Sequence, residues 1–577
     1  MDPPISLLSI PEDLLIQGIL SRLYHSSRVQ CLRTCRNLHT VISSSPLLIY
    51  LKELEIAGMI DNPACTLQSI SINERLEMLR ERELRWISLN WKWRREIDMP
   101  RFTAAGTYTY SGGVYLLGRR INPQEGVVGM YSMNVPQKFD EAIDWKELDL
   151  GQRHLPSAMA IEEHDLVACV IYTPGVTPSQ FLVKIQLVQH TTLQPHPLAS
   201  SNALDVCSFG EWDGSPTSHT SICGDYLAIS VALLNSSRPW SQLVVWNWKT
   251  GRILCQSRTP GASKTGLTFL KEDLIINIDL DSRSIDVYQI PFFSAEHNYD
   301  PRHIPRMRCV QRLKLPMVER NYEYAAAVCS SLPGPAVSFP SENIRTTRPF
   351  IDDPLSAILS IYFRVRDARM ARGTGPFLTF FVITQRRVFL EFILKRLASV
   401  PEGQQLNEAD IPEVAWGEWG PRNTRMFSFE GGDGRVASIS GTKCVIFQDK
   451  KVEILDFGPK KVAVQMGRME DSRAVTSDVP AAEIELRPGV RIDIVGHDVP
   501  AMYPRTKGIF REDVITCLPY IRSTFGHTGI IGLPQDGVWE GGWDSDILMD
   551  DQRIIGTKEW KSDGVSRTDK LDILYFG

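Results

Sequence analysis

Gly224-Asp225-Tyr226-Leu227-Ala228-Ile229, then Leu243 to Trp248, and finally Trp246-Asn247-Trp248-Lys249-Thr250-Gly251-Arg252 form the stretch that sets the reading of this 577-residue chain. A glycine-aspartate turn opens a run of β-branched and aromatic residues, a second such run returns, and a glycine-containing turn ends it. That is the pattern of a β-hairpin. The theme occurs twice more: Asp165-Leu166-Val167-Ala168 precedes Phe181 to Leu187, and Glu272-Asp273-Leu274-Ile275-Ile276 precedes Ser284 to Tyr288. Beyond Pro349 the segments Phe377 to Thr384, Arg387 to Ile393, Val436 to Ser440, Cys444 to Phe447 and Val452 to Phe457 are also predicted strands, with turns at Gly441-Thr442 and Asp449-Lys450. The stretch from Pro291 to Asp353, rich in Pro, Arg and Ser, reads as long loops with some strand rather than as a linker between domains.

The opening stretch resembles a blade of a WD-repeat-like propeller. Its aspartate and those of the two sister blocks lie sixty and forty-eight residues apart (165 to 225, 225 to 273), longer than the roughly 40 to 45 of a regular repeat, as degenerate blades with inserted loops would be. A single closed ring over residues 101–577 is therefore expected, with seven or eight blades. The ending Leu571-Asp572-Ile573-Leu574-Tyr575-Phe576 alternates like a strand and is expected to close the ring by pairing with Gly106 to Leu117.

Upstream the chain changes character. In Ile10-Pro11-Glu12-Asp13-Leu14-Leu15-Ile16-Gln17-Gly18-Ile19-Leu20-Ser21-Arg22-Leu23 a proline suited to a first turn precedes Leu14, Leu15, Ile19 and Leu23 at helical spacing. Ser27 is placed to cap a second helix carrying Val29, Leu32, Cys35, Leu38 and Ile42, and Ser45-Pro46 starts a third that Gly58 closes. Three short helices cannot bury this much apolar surface alone. The segment, residues 5–58, resembles an F-box, which implies docking onto a Skp-type adaptor and through it a cullin. The resemblance assigns adaptor-facing or hairpin-packing positions to Pro11, Leu14, Leu15, Ile19, Leu20, Leu23, Leu32 and Cys35. Leu38 stands where an aromatic residue is common, and Ser27-Arg28 replaces the usual acidic-leucine pair. Residues 59–100 read as a helical linker: Ser71 and Glu74 form a capping box ahead of Ile72, Leu76, Leu79 and Trp86, and Trp91-Lys92-Trp93-Arg94-Arg95 is taken as its cationic end. Trp419-Gly420-Pro421-Arg422-Asn423-Thr424-Arg425, Asp550-Asp551-Gln552-Arg553-Ile554-Ile555-Gly556 and the ending Asp572 to Phe576 resemble segments of fungal F-box proteins with an irregular propeller. The expected fold class is thus α+β multidomain, an all-α N-terminal part followed by an all-β propeller-like part.

Composition excludes several function classes. The chain is 43% hydrophobic and 23% charged, with 63 basic against 68 acidic residues and a formal charge of -5, so it carries no global footprint for nucleic acid or an anionic membrane. Met1-Asp2-Pro3-Pro4 does not read as a secretory signal, and no apolar run reaches the roughly twenty residues that span a bilayer. A cytoplasmic or nuclear location is expected. The 11 cysteines lack a Cys-x-x-Cys pair and read as reduced packing residues; Cys31, Cys35 and His39 share helical spacing but lack a fourth zinc ligand.

Catalytic spacing is sparse. Gly261 to Gly266 and Glu430 to Gly434 are turns rather than phosphate loops, Asp544, Asp546, Asp550 and Asp551 lack the glycine and glutamate of a calcium loop, and His154, His164 and His196 are isolated. No cofactor or metal is expected. The reading is a non-enzymatic substrate-recognition subunit of a Skp-cullin-F-box ubiquitin ligase, whose propeller binds a client protein. The alternatives are a propeller enzyme with a helical appendage and an F-box protein acting outside ubiquitin ligation.

Overall fold

The three hairpins are the middle strands of larger sheets. A computed structural model describes residues 7–577 apart from 8–9, 63, 67–68, 102, 121–126, 152–157, 176–179, 211–215, 234–239, 261–263, 292–302, 337–346, 371–376, 399–410, 430–434, 449–450, 475–488, 526–543 and 563–564. Among the described residues, seven sheets of four or five strands succeed one another along the chain: 103–149, 158–210, 217–260, 264–314 extended by Glu413–Val414, 322–429, 435–525, and 544–575 completed by Trp93–Asp98. We call them blades 1 to 7. The first strands of consecutive blades adjoin between blades 1 and 2, 2 and 3, 3 and 4, 4 and 5, and 6 and 7, from Thr103–Ser111 through Thr217–Cys223 and Lys264–Lys271 to Asp544–Met549, and inner strands of this kind surround a central channel. The architecture is a seven-bladed propeller preceded by helices.

Each gap between consecutive blades has its own apolar filling. Leu166, Val170, Ile185, Leu227, Ile229 and Trp246 fill the gap between blades 2 and 3, and a corresponding cluster occupies each of the other six, including the gap between blades 7 and 1, where Ile97, Tyr115, Ile555 and Ile573 meet. No single core holds the ring. Stability comes from seven similar interfaces, so losing one blade opens two of them.

The ring closes at the C-terminus, but with a different mate from the one expected. Val565–Tyr575 pairs antiparallel with Trp93–Asp98 (Trp93 opposite Tyr575, Asp98 opposite Lys570), so the outermost strand of blade 7 comes from the N-terminal side of the chain. The segment containing Gly106 to Leu117 instead supplies the first two strands of blade 1. Trp93, Arg94 and Arg95, read as a helix end, thus lie in a strand; the helix stops at Ser88, with Leu89 left-handed at its C-cap. Residues 101–577 alone would lack a strand of blade 7.

Other local expectations are corrected. Arg387 to Ile393 lies in a helix, Arg386–Leu397, because Phe389, Leu390 and Ile393 recur at helical rather than alternate spacing and all are buried. Trp416–Asn423 is a helix with Pro421 inside it, and the carbonyl of Pro421 accepts from the backbone N–H of Cys517 at 2.9 Å. The second N-terminal helix is two, His25–Thr34 and Arg36–Ser44, broken where Cys35 turns extended (φ -157°, ψ 162°), so Cys31 and His39 do not share a helix. It begins two residues before Ser27, because the Glu55 carboxylate accepts the His25 N–H at 3.1 Å. The third helix, Pro46–Ala57, follows expectation: Ser45 Oγ accepts from Leu48 N–H, proline occupies the first turn, and left-handed Gly58 (φ 70°) ends it. Gly261 to Ser263, Glu430 to Gly434, Asp449-Lys450 and His154 lie outside the described residues, as do the side chains of Asp544 and Asp546.

Candidate docking interface and central channel

The N-terminal hairpin is built on a small core of its own. After Pro11 the chain makes one α turn, Glu12–Leu14, then a wider π turn, Leu15–Ile19, and a tight 3-10 turn, Leu20–Arg22. This irregular winding points neighbouring leucines in different directions. Leu15 and Leu20 are sealed against Leu38, Ile42 and Leu48, while Ile19, Leu23, Leu32 and Cys35 are half-buried around them. Pro11 faces outward and Leu14 is 61% exposed. Of the eight positions assigned to adaptor docking, the structure therefore gathers six into or onto the hairpin's core and leaves two fully outward. Tyr24, 72% exposed, was absent from the reading; it lies in the extended N-cap between two helices, where helical periodicity carries no signal.

Two charged junctions fasten this hairpin to the propeller. Glu55 receives the His25 N–H, pairs with buried Arg28 at 2.8 Å and also meets Lys460, which follows blade 6's third strand. The long helix Ile72–Ser88, started by the predicted Ser71/Glu74 capping box, carries Glu83 onto Lys461, whose ammonium also donates to Asp456 at 2.7 Å; Asp456 in turn accepts from Thr442 Oγ1 at 2.7 Å. Burial alone would raise the carboxyls of Glu83 and Asp456 and lower the ammonium of Lys461. The close opposite charges outweigh it, holding both carboxyls below and the ammonium above their ordinary ranges. Further along, Trp86 Nε1 donates to the Asp551 carbonyl at 3.2 Å and its ring stacks on Phe576 with centroids 4.3 Å apart.

These contacts place the helices over one end of the channel. Met59–Asp61 pairs with Phe350–Asp352 in a two-stranded ribbon across it. Gly441 must be a glycine there: its φ is +53°, and a Cβ would lie 2.5 Å from the Asp352 carboxylate. Beneath the ribbon Arg348 bridges blades 2 and 7, pairing with Glu162 and with Asp551 at 2.9 Å, and Tyr110 donates to Asp550. A cavity of about 320 Å³ continues down the channel between Thr109, Ser218, His219, Thr220, Thr268 and Ser330. Burial pushes the His219 imidazole down to about 4, so it is neutral at physiological pH.

One constellation has the atoms of a hydrolytic triad. Ser132 Oγ lies 2.8 Å from His190 Nε2, and His190 Nδ1 lies 3.7 Å from Asp165 Oδ1. Its setting is wrong for catalysis. All three residues are buried, neither Ser132 nor His190 lines the channel cavity, and the carboxylate spends its oxygens on Thr191 N–H and Oγ1. The group ties blade 1 to blade 2. Ser132→Ala is expected to lower thermal stability by about 1–2 kcal/mol, the cost of leaving the buried imidazole one partner short; an unchanged melting temperature would contradict this structural role. His164 and His196 likewise pack edge-on against Trp248 at 5.3 and 4.9 Å. Among the described residues no three His, Cys, Asp or Glu side chains are grouped to hold a metal, and no helix is long and apolar enough to cross a membrane.

No family model matches the sequence, and no curated protein matches it. Among solved structures, the chain is similar to the WD40 domain of Toxoplasma gondii coronin, at 8% identity and a TM-score of 0.32, covering 84% of this chain and 87% of that one. It is also similar to AztD of Citrobacter koseri, at 10% identity and a TM-score of 0.30, over 81% of this chain and 88% of that one. The propeller is defined by the chain's own seven-sheet strand order.

Proposed function

We propose that this protein is a non-catalytic receptor subunit: the N-terminal hairpin docks a Skp-type adaptor, which brings a cullin, and the propeller holds a client protein for ubiquitination in the cytoplasm or nucleus. The observation that carries this reading is a hairpin whose apolar core is closed inside while Pro11, Leu14 and Tyr24 remain on its outside, in an N-terminal helical region fixed to the propeller by a buried ion pair. An interface of this kind takes its affinity from a few desolvated aliphatic and aromatic anchors. Leu14 is the sharper test than Ile19, since Ile19 also packs the hairpin core. Leu14→Asp should weaken capture of a purified Skp-type adaptor by at least about a hundredfold, the effect of a charge buried in an apolar contact, with the melting temperature unchanged. Equal capture by wild type and variant would refute the assignment.

A further inference from the structure

From Leu14 to Lys52 the chain contains no Asp or Glu, yet it carries Arg22, Arg28, Arg33, Arg36 and Lys52, in a protein whose formal charge is -5. Arg28 is consumed internally by its pair with Glu55. Arg22, Arg33 and Arg36 are different: all three are exposed, and no ion pair or hydrogen bond of their guanidinium groups occurs among the described residues. They sit at the end of the 3-10 turn, in the last turn of His25–Thr34, and at the first position of Arg36–Ser44. Arg36 is unfavourable where it stands. A cation at a helix N-terminus opposes the dipole by a few tenths of a kcal/mol, and no acidic neighbour offsets it. A hairpin that keeps such a charge, and that also presents outward Leu14 and Tyr24, is complementary to a negative surface.

We infer that the hairpin docks an acidic protein face, with Leu14 and Tyr24 as apolar anchors and Arg22, Arg33 and Arg36 steering that face into register. The inference rests on the docking role proposed above and names the chemistry of the partner's surface. A protein face is favoured over an anionic membrane or a nucleic acid because the cations are few and share one short hairpin with exposed apolar side chains, and the rest of the chain is acidic overall and would repel a polyanion. Charges at such a rim act on the rate of encounter more than on the lifetime of the complex.

The experiment compares full-length wild type with Arg22→Glu/Arg33→Glu/Arg36→Glu in surface-binding kinetics against a purified Skp-type adaptor at low and high salt. The wild type should associate at least about tenfold more slowly in high salt, and the triple variant should associate slowly at both, with dissociation little changed. A milder Arg→Gln set guards against misfolding and should fall between them. Wild-type binding that is insensitive to salt and to both variant sets overturns this inference and leaves the docking role standing. A wild type that binds no adaptor overturns both, as does one captured only by phosphatidylserine vesicles or RNA.

Discussion

Deletion of Leu571–Gly577 is expected to unfold the propeller cooperatively. The deleted strand is held on both sides, with Leu571 to Tyr575 opposite Trp93 to Ile97 and opposite Arg553 to Thr557, so its loss breaks two ladders of blade 7 together. Leu571, Ile573, Leu574 and Phe576 are each at most 1% exposed. Burying four such side chains contributes about 6–12 kcal/mol at roughly 1.5–3 kcal/mol each, which is the size of a whole domain's net stability. An ion pair and an aromatic stack fail as well: Arg94 loses Asp572, which it meets at 2.7 Å, and Trp86 loses the ring of Phe576. The opened sheet edge would also invite aggregation. Circular dichroism and a thermal melt of the truncated protein check the prediction; a melt that overlays the full-length one would show that blade 7 closes without this strand.

The same strand shows why parts of the fold were legible and others were not. Middle strands of a blade are covered on both faces, so Leu166 to Ile171 is an uninterrupted buried run and announces itself by hydrophobicity alone. First strands face the channel with one side, and Thr217–Cys223 spends most of its positions on Thr, Ser and His. Blade boundaries were therefore obscure even where blades were plain. Trp93–Asp98 carries Arg94, Arg95, Glu96 and Asp98 around the single buried Ile97, and an outer strand so polar reads as easily as the charged end of a helix. Arg386 is wholly buried among neutral acceptors, the Pro354 and Pro333 carbonyls at 2.7 Å and the Ser331 hydroxyl, and no local pattern foretells an arginine whose partners lie on a distant loop.

At the N-terminal hairpin the limit was directional. Helical spacing marks Leu14 and Leu15 alike as apolar, yet one is 61% and the other 3% exposed, because successive helical side chains point about 100° apart and only the second meets the hairpin's core. Periodicity gives the set of apolar residues and is silent on whether each packs inward or waits for a partner. The F-box resemblance only suggested a role, and the burial pattern sorts the same residues into exposed and packed.

Lys461→Met should cost about 3–5 kcal/mol at neutral pH, the loss seen when one partner of a buried ion pair is removed and the other charges stay behind. Lys461 is 6% exposed and stands between Glu83, 15% exposed, and Asp456, 9% exposed, so the variant would hold two buried carboxylates without their shared cation. Lys443 also bears on both carboxyls, and Arg82 on Glu83, which keeps the expected loss from being larger. The pH dependence separates this account from simple packing. In the wild type the depressed carboxyls contribute stability that is present above their ordinary values of 4.5 and 3.8 and is lost as pH falls through their lower folded values. Lys461, raised above its ordinary 10.5, contributes stability that is present below that value and is lost only as pH climbs through its higher folded value. In the variant the carboxyls lose the partner that depressed them and take up protons at higher pH, which relieves their burial. The gap between wild type and Lys461→Met should therefore be widest near neutrality and narrow steadily as pH is lowered towards about 3. Denaturant melts at a series of pH values measure it. A gap that stays constant across the acid range would mean that the lysine's methylenes, and not its charge, hold the helix Ile72–Ser88 against blade 6.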